Sequence, residues 1–167
     1  MSGSQFLKHF IRFVVLIILQ VAIFDNIRFL GYINPLLYIW FILGLPSTIN
    51  RSLLLILAFI TGTILDIFSN TPGMYAFATV FVAYFRTPLL KLVVPRDDVS
   101  SSYEPSLKSL GFPVFLKYAA VLIVLLHLLL FTLEAFSFVN YELVLMKTII
   151  NSSLTLLLVL SLQKTKT

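Results

Sequence analysis

The sequence predicts an all-α membrane protein, a single bundle of about six transmembrane helices, and two observations lead to this fold class. Hydrophobic residues make up 59% of the 167-residue chain and charged residues only 11%, whereas an ordinary soluble domain has about 25% charged residues. The hydrophobic residues also gather in six segments. Because one span takes about 20 apolar residues, a chain of this length holds about six spans and little else. We therefore expect residues 1–167 to form a single integral membrane domain.

Turn-forming or polar residues bound the segments, and the second segment is the shortest. It follows Asn34, which can cap free helix N–H groups, and begins at Pro35, a residue that suits the first helical position. Pro46 either ends this segment or kinks it, so a tilted, broken or partly re-entrant helix is predicted. The six segments run over about Phe10 to Phe24, Pro35 to Leu45, Leu53 to Phe68, Met74 to Val94, Phe112 to Leu133 and Leu143 to Leu162.

Basic residues are distributed unevenly between alternate connections. All 12 Lys and Arg residues except Arg28 and Lys147 are assigned to the N-terminus, the second and fourth connections, or the C-terminus. Since cytoplasmic loops carry the excess of Lys and Arg, both termini are predicted to be cytoplasmic. Membrane topology also accounts for the net charge of +5, because the sequence has no Arg/Lys stripe of the kind that binds nucleic acid. We expect no nucleic-acid partner.

The longest polar connection, residues 95–111, lies on the predicted cytoplasmic side. It is expected to hold one short helical turn around Glu104 to Leu110, with Gly111 as its C-terminal cap. The connection is either a docking surface for cytoplasmic proteins or a solvated loop whose Leu107 and Leu110 rest on the membrane interface.

Asp66 is a carboxylate within a hydrophobic segment, in the stretch that runs from Gly62 to Pro72 and Gly73. A charge inside a span costs about 3 kcal/mol on insertion scales, so Asp66 should have a partner. The N–H groups at the start of the next helix would make it an anionic clasp between the third and fourth segments. The alternatives are a contact with another protein or an ion pair with Lys147.

Other polar or small residues within the segments have structural interpretations. Lys147 can extend its side chain to the membrane surface, which is the alternative to pairing with Asp66. Gly62 is on the same helical face as Asp66 and allows two helices to approach closely. Hydrogen bonds between helices are expected for three further residues, Gln20, Asn151 and Ser152.

Enzyme chemistry is not expected. His127 has no paired serine and no companion ligand for a metal ion, and neither a phosphate-binding glycine loop nor a pair of juxtaposed carboxylates is present. The absence of cysteine excludes thiolate metal sites and cysteine nucleophiles. We therefore predict no catalytic, cofactor-binding or metal-binding residues.

A chain of this size with six segments, Gly62-x-x-x-Asp66, then Pro72-Gly73 and the aromatic Tyr84-Phe85-Arg86 resembles the MreD family of bacterial rod shape-determining membrane proteins. The resemblance covers nearly the whole chain. It implies a multi-pass subunit of the bacterial inner membrane that binds MreC and works with MreB, RodA and a penicillin-binding transpeptidase in cell elongation and peptidoglycan synthesis. The implied role is assembly and regulation of cell shape, without catalysis.

The resemblance also implies a fold similar to the substrate-binding subunit of energy-coupling-factor vitamin transporters, which makes such a vitamin-binding subunit the alternative function. A vitamin site would need several polar groups converging on an outward-facing pocket, and the predicted outer connections offer few. Four residues could pack either within the bundle or against a partner protein, which is MreC if the resemblance to the MreD family holds: Gly62, Gly73, Tyr75 and Tyr84. Membrane lipid is the remaining expected partner.

Overall fold

Helices account for all the regular secondary structure in the described part of the chain. The computed structural model describes residues 3–24, 33–94, 103–136 and 141–164. The helices are α1 (Gly3–Leu19), extended by a π-helical turn (Gln20–Phe24), then α2 (Ile39–Leu43), α3 (Arg51–Ser69), α4 (Met74–Val93), α5 (Leu107–Leu110), α6 (Phe112–Ala135) and α7 (Tyr141–Lys164). Three of the basic residues used to predict the topology lie outside the described residues: Arg28, Arg96 and Lys166.

Five of these helices are long and apolar enough to cross a membrane: α1 with its π-helical turn, α3, α4, α6 and α7. This confirms an all-α, multi-pass membrane protein. The second predicted segment is different, because its only helix, α2, is five residues long. Prolines at both ends of the segment restrict helix formation there. The structure therefore has five long helices and one short, broken segment among the described residues.

The core lies where α3, α4, α6 and α7 pack side by side in that order. Its fully buried side chains include Leu54 and Leu65 on α3, Val82 on α4 and Leu122 on α6. α1 is the least buried of the five long helices, with only 11% of its apolar window inside the protein. It therefore stands at the edge of the bundle, and the broken segment lies between it and the core.

Specific residues set the ends of the α3–α4 hairpin. Asn50 begins α3, since its side-chain oxygen accepts a hydrogen bond from the Ser52 N–H at 2.9 Å. At the other end Asn70 adopts a left-handed conformation with φ of 54°, which Asn tolerates better than most residues. Gly73 precedes α4 with φ of 83°, a conformation that suits glycine.

The loop after α4 is fastened to the rest of the protein. The predicted turn at Glu104 to Leu110 is confirmed as α5, and Gly111 caps it with φ of 73°. Leu107 and Leu110 are partly buried and pack against the core. The Ser47 N–H donates to the Tyr103 carbonyl at 2.8 Å, and Glu104 contacts His9 at 3.3 Å between Oε1 and Nε2. The described part of the loop thus covers one end of the bundle.

Candidate functional site

The broken segment passes through the middle of the protein. We call residues 34–45 the central segment; residues 35–45 are all buried, and those before α2 are not helical. Non-helical backbone is tolerated at membrane depth only where protein or a wet cavity satisfies its polar groups. Neighbouring side chains must therefore supply the hydrogen bonds that a helix would have supplied.

At the Asn34 end, three side chains provide these bonds. The Asn34 N–H donates to Oδ1 of Asn151 at 2.6 Å, and the Leu36 N–H donates to Oγ1 of Thr155 at 3.0 Å. From the other side, Nε2 of Gln20 donates to the Pro35 carbonyl at 3.3 Å. Gln20 and Asn151 thus hold helices together, as the sequence predicts, by way of the backbone between them. The same prediction is wrong for Ser152, whose buried Oγ has no hydrogen-bond partner among the described residues.

His127 extends this network by one residue. Its Nδ1 lies 2.8 Å from the Ile123 carbonyl, and its Nε2 lies 3.3 Å from Oγ1 of Thr155. A carbonyl only accepts, so Nδ1 carries the proton and the neutral ring accepts from the Thr155 hydroxyl through Nε2. Thr155 can then accept from the Leu36 N–H with its remaining lone pair. His127 is therefore occupied as a structural partner.

Two tyrosines connect the central segment to α4. The Tyr38 hydroxyl lies 2.9 Å from Oγ1 of Thr79, and both residues are fully buried. Nδ2 of Asn34 donates to the Tyr75 hydroxyl at 3.5 Å, at the limit of a hydrogen bond. Tyr75 is 2% exposed. This burial fits packing within the bundle, which is one of the two roles predicted for Tyr75; the other is packing against a partner.

At the Leu45 end, a buried arginine performs the same task. Arg86 is 1% exposed; its Nη2 donates to the Leu45 carbonyl, and its Nε donates to the Tyr118 hydroxyl at 3.0 Å. That hydroxyl in turn donates to the Leu43 carbonyl at 3.0 Å. These carbonyls lie at and just beyond the C-terminal end of α2, where the helix dipole favours a positive charge.

Arg12 binds the central segment from the opposite side. Its Nη2 donates to the Trp40 carbonyl at 2.5 Å, and its guanidinium carbon lies 4.1 Å from the centroid of the Trp40 ring. A Cβ atom on Gly44 would overlap this guanidinium, so the absence of a side chain there makes room for Arg12. Arg12 and Arg86 thus stabilise α2 from two sides.

The contacts at the two ends of the central segment are well separated along α4. Tyr75 bonds near one end of the central segment and Arg86 near the other, and the two lie about 16 Å apart along α4 at 1.5 Å per residue. The central segment therefore crosses the interior lengthwise, over a distance comparable to half a membrane core.

Asp66 lies at the corner between α3 and α4 and binds the start of α4. Its Oδ1 accepts from the Tyr75 N–H at 3.0 Å and from the Thr71 hydroxyl at 2.6 Å, and its Oδ2 accepts from the Ala76 N–H at 2.9 Å. Gly73, the N-cap residue, has no side chain to do this. The Asp66 carboxylate thus serves as the cap, at the helix end that favours negative charge.

This geometry matches the anionic clasp, and Asp66 is only 6% exposed. The alternative ion pair with Lys147 is absent, although both residues are described: the carboxylate's hydrogen bonds all come from the turn and the first residues of α4. Lys147 is half-buried on α7, and its carbonyl accepts from Nδ2 of Asn151. The carboxylate already accepts three hydrogen bonds at the corner.

Gly62 lies one turn before Asp66, where α3 and α4 touch. A Cβ atom at this position would overlap Cα of Ala76 and would come within 2.6 Å of its nitrogen and 2.7 Å of the Tyr75 carbonyl oxygen. Those are backbone atoms, which cannot turn aside as a flexible side chain can. Gly62 therefore allows the close approach that brings Asp66 to the start of α4.

The remaining predicted residues lie outside these contacts. Pro72 and Gly73 are exposed in the α3–α4 turn. Tyr84 is 47% exposed in the middle of α4 and contacts Arg51 and Phe85. The structure thus joins Gly62, Asp66 and the turn at one corner, and places Tyr84 and Lys147 apart from it.

Sequence reasoning missed the role of Arg12 and Arg86. The charge distribution in the sequence places both at the basic ends of segments. In the structure they lie within α1 and α4, and their guanidinium groups donate to carbonyls of the central segment. The one available signal was position, since Arg86 lies eight residues before the end of its apolar segment. A charge so far inside a span calls for an internal partner.

The polar side chains of the site serve the backbone of the central segment. No group of three or more His, Cys, Asp or Glu side chains that could hold a metal ion occurs among the described residues. The buried polar side chains that reach the central segment are engaged with its backbone or with one another. What this arrangement can do is fix the shape of the bundle.

Loss of the Asp66 clasp should weaken the protein measurably. Replacing Asp66→Ala leaves the buried N–H groups of Tyr75 and Ala76 without acceptors, at about 1 to 3 kcal/mol for each unpaired group. Asp66→Asn keeps one acceptor oxygen and should lose about half as much. Thermal unfolding in detergent would measure both, with Glu142→Ala, at the exposed start of α7, as the control that removes a carboxylate. Equal stability of Asp66→Ala and the control would contradict the clasp.

Comparison with known proteins gives no relative for this chain: no family model matches, and neither a curated protein nor a solved structure matches.

Proposed function

We propose that this protein is a non-catalytic membrane scaffold subunit of the bacterial machinery for cell elongation and peptidoglycan synthesis, and that it binds an MreC-like protein. The observation that carries the proposal is the central segment. Side chains from α1, the π-helical turn, α4, α6 and α7 all contribute to holding it, so the interior polar groups build a rigid body instead of a ligand pocket. A rigid body with a fixed surface suits assembly, and the resemblance to the MreD family supplies the partners.

The proposed topology has six crossings, with the central segment as the second. The central segment then carries the chain back across the membrane between α1 and α3, which keeps both termini on the cytoplasmic side, as the distribution of Lys and Arg favours. The location is the bacterial inner membrane. A six-crossing bundle of this kind would also be similar to the substrate-binding subunits of energy-coupling-factor transporters, and similarity of fold would not imply transport.

We place the membrane helix of the MreC-like partner over the cleft between α1 and α3. This cleft of about 290 Å³ is lined by Phe10 and Phe13 of α1, by Phe41 of the central segment, and by Leu53 and Leu57 of α3, among others. α1 is the least buried long helix, so the bundle is least complete on this face. A helix laid there would cover the exposed side chains of Phe10 on α1 and Leu53 on α3, and membrane helices associate through such close packing.

Photo-crosslinking in bacterial membranes tests both the partner and the face. A photoreactive amino acid at Phe10 or at Leu53, which are 53% and 45% exposed, should give an adduct with an MreC-like protein. The matched control is Ile149 on α7, which is 67% exposed on another face and should give none. An MreC-like adduct from Ile149, with none from Phe10 or Leu53, would contradict the cleft between α1 and α3 and place the interface on α7.

Co-purification distinguishes the two functions. A scaffold of the elongation machinery should bring down an MreC-like protein, together with MreB, RodA or a penicillin-binding transpeptidase as more distant members of the complex. Recovery of a transporter's energising subunit with its ATPases, or of a small vitamin held by the purified chain, would contradict the proposal and support the vitamin-binding alternative.

A further inference from the structure

A second apolar depression runs along the opposite side of α3, between α3 and α4. We call it the aromatic groove; it has a volume of about 760 Å³ and is lined by Phe59, Gly73, Ala76, Phe77, Val80, Phe81, Tyr84 and Phe85. Its floor is formed by the small residues at the start of α4, where Gly62 brings the two helices together. Its length follows α4 from Gly73 to Phe85, about 18 Å at 1.5 Å per residue.

One wall of the groove is a ladder of aromatic rings on α4. The ring centroids of Phe77 and Phe81 are 6.1 Å apart, and those of Phe81 and Phe85 are 4.8 Å apart. Phe59 faces them from α3 and is 56% exposed, and Phe77 is 53% exposed. These rings give the groove a continuous apolar surface along its length, as an acyl chain requires.

A basic residue stands at one end of the groove. The guanidinium carbon of Arg51 lies 4.3 Å from the centroid of the Tyr84 ring, and Arg51 is exposed. No carboxylate or hydrogen-bond acceptor among the described residues meets this guanidinium. Arg51 is also the first residue of α3, the helix end at which the dipole disfavours a cation. Both features favour an anion beside Arg51.

The other end of the groove carries no matching charge. Asp66 is buried there and is saturated by donors of the corner, while Gly73 lines the groove without a side chain. The groove thus has one polar end and one apolar end, which is the polarity of a lipid in a single leaflet.

From this charge and shape complementarity we infer that the aromatic groove binds one anionic glycerophospholipid, with its phosphate on Arg51 and an acyl chain along the Phe77–Phe81–Phe85 ladder. The lipid comes from the leaflet on the Arg51 side, which is the cytoplasmic leaflet in the proposed topology. Guanidinium groups bind phosphate through two parallel N–H donors, and basic pockets between helices on the cytoplasmic side are typical sites for anionic lipid head groups.

A partner helix is a poorer occupant of this groove. Membrane helices carry their excess Lys and Arg at the cytoplasmic end, and those charges would meet Arg51 there. A phosphate at the same level is attracted instead. The lipid assignment depends on the position of Arg51 and the groove, and it holds whether or not the protein serves in cell elongation.

Bromine quenching of tryptophan fluorescence tests the site in nanodiscs. Phe77→Trp places a probe in the groove, and Ile67→Trp, at a position on α3 that is 72% exposed and outside the groove, gives the matched lipid-facing control. The native Trp40 is buried, so its signal is subtracted as a constant. Phosphatidylglycerol with brominated chains should quench the groove probe more strongly than brominated phosphatidylcholine at the same mole fraction, while both should quench the control equally.

The charge is tested by Arg51→Gln, with Lys164→Gln at an exposed position on α7 as the control for loss of one positive charge. Arg51→Gln should weaken the preference for phosphatidylglycerol about fivefold, the effect of one basic residue at the membrane surface, and Lys164→Gln should leave it unchanged. Native mass spectrometry of the Arg51→Gln protein, which needs no tryptophan probe, should show the same loss of retained phosphatidylglycerol.

Equal quenching of the groove probe by the two lipids would overturn the proposal. So would an unchanged lipid preference in Arg51→Gln, or protection of the groove probe from both lipids by a co-purified membrane protein, which would assign the groove to a protein helix.

Discussion

Replacing Gly62→Leu should abolish the native packing of α3 against α4. The new side chain would begin on top of the Ala76 backbone, which lies closer than any Cβ contact allows. Relief requires the two helices to separate, and this withdraws Asp66 from the N–H groups of Tyr75 and Ala76. Overpacking of a core costs about 1 to 3 kcal/mol, and loss of the clasp adds to it. We expect little folded protein to survive detergent extraction.

The control for Gly62→Leu is Ser153→Leu on α7. Ser153 is also small but exposed, and its hydroxyl bonds only to the Ile149 carbonyl one turn earlier. Fluorescence-detected size-exclusion chromatography before and after heating compares the two proteins directly. Gly62→Ala should fall between wild type and Gly62→Leu, since even one methyl group meets backbone. A Gly62→Leu protein as stable as Ser153→Leu would contradict the close approach of the helices.

Reversing the charge of Arg86 should have an effect of similar size. Arg86→Glu would place a buried carboxylate against the Leu45 carbonyl, which is itself an acceptor, and would remove the donor to the Tyr118 hydroxyl. An uncompensated charge in such a site costs about 3 to 5 kcal/mol. The Leu45 end of the central segment should no longer be held in place, and the protein should aggregate or be degraded in the membrane.

Lys91→Glu is the matched control, because it makes the same charge change on an exposed residue of the same helix. Arg86→Lys should be intermediate, since one ammonium group cannot reproduce the two directions in which the guanidinium donates. Protein yield and thermal stability in detergent measure all three. Equal stability of Arg86→Glu and Lys91→Glu would contradict the assigned role of Arg86.

The elements that were predicted well are those whose signals are local. A run of apolar residues bounded by turn-forming or polar residues, as in the third segment, predicts a helix without knowledge of its neighbours. The short turn before Gly111 was read in the same way, from a glycine that tolerates the required φ. The clasp at Asp66 is one of three interpretations that the sequence offers, and it can be proposed because its donors lie within ten residues of Asp66 along the chain.

The parts that could not be predicted depend on contacts between distant residues. The backbone at Leu36 is satisfied by Thr155, 119 residues later, and nothing near Leu36 reveals this. The depth of Arg86 within its span indicates an internal partner, but nothing near it in the sequence identifies the Leu45 carbonyl and the Tyr118 hydroxyl as that partner. Five of the six predicted segments contain a membrane-length helix. The second, predicted as tilted, broken or partly re-entrant, has a helix of only five residues and depends on these distant side chains for its hydrogen bonds.

One requirement unites the buried polar residues. Non-helical backbone inside the bundle needs hydrogen-bond partners for its N–H and C=O groups. Surrounding elements supply them to the central segment through the side chains of Gln20, Asn151, Thr155, Arg12 and Arg86. These hydrogen bonds to one segment of backbone make the bundle interior a structural core.

Cross-linking across the central segment tests this account most directly. The natural chain has no cysteine, so Leu36→Cys with Thr155→Cys can be joined in intact membranes by a short bifunctional thiol reagent. The control pair is Leu36→Cys with Leu157→Cys, whose α7 position is 62% exposed. We expect rapid cross-linking of the first pair and none of the second. Equal cross-linking of both pairs, or none in the first while the protein remains folded, would show that the central segment does not run beside α7 through the bundle.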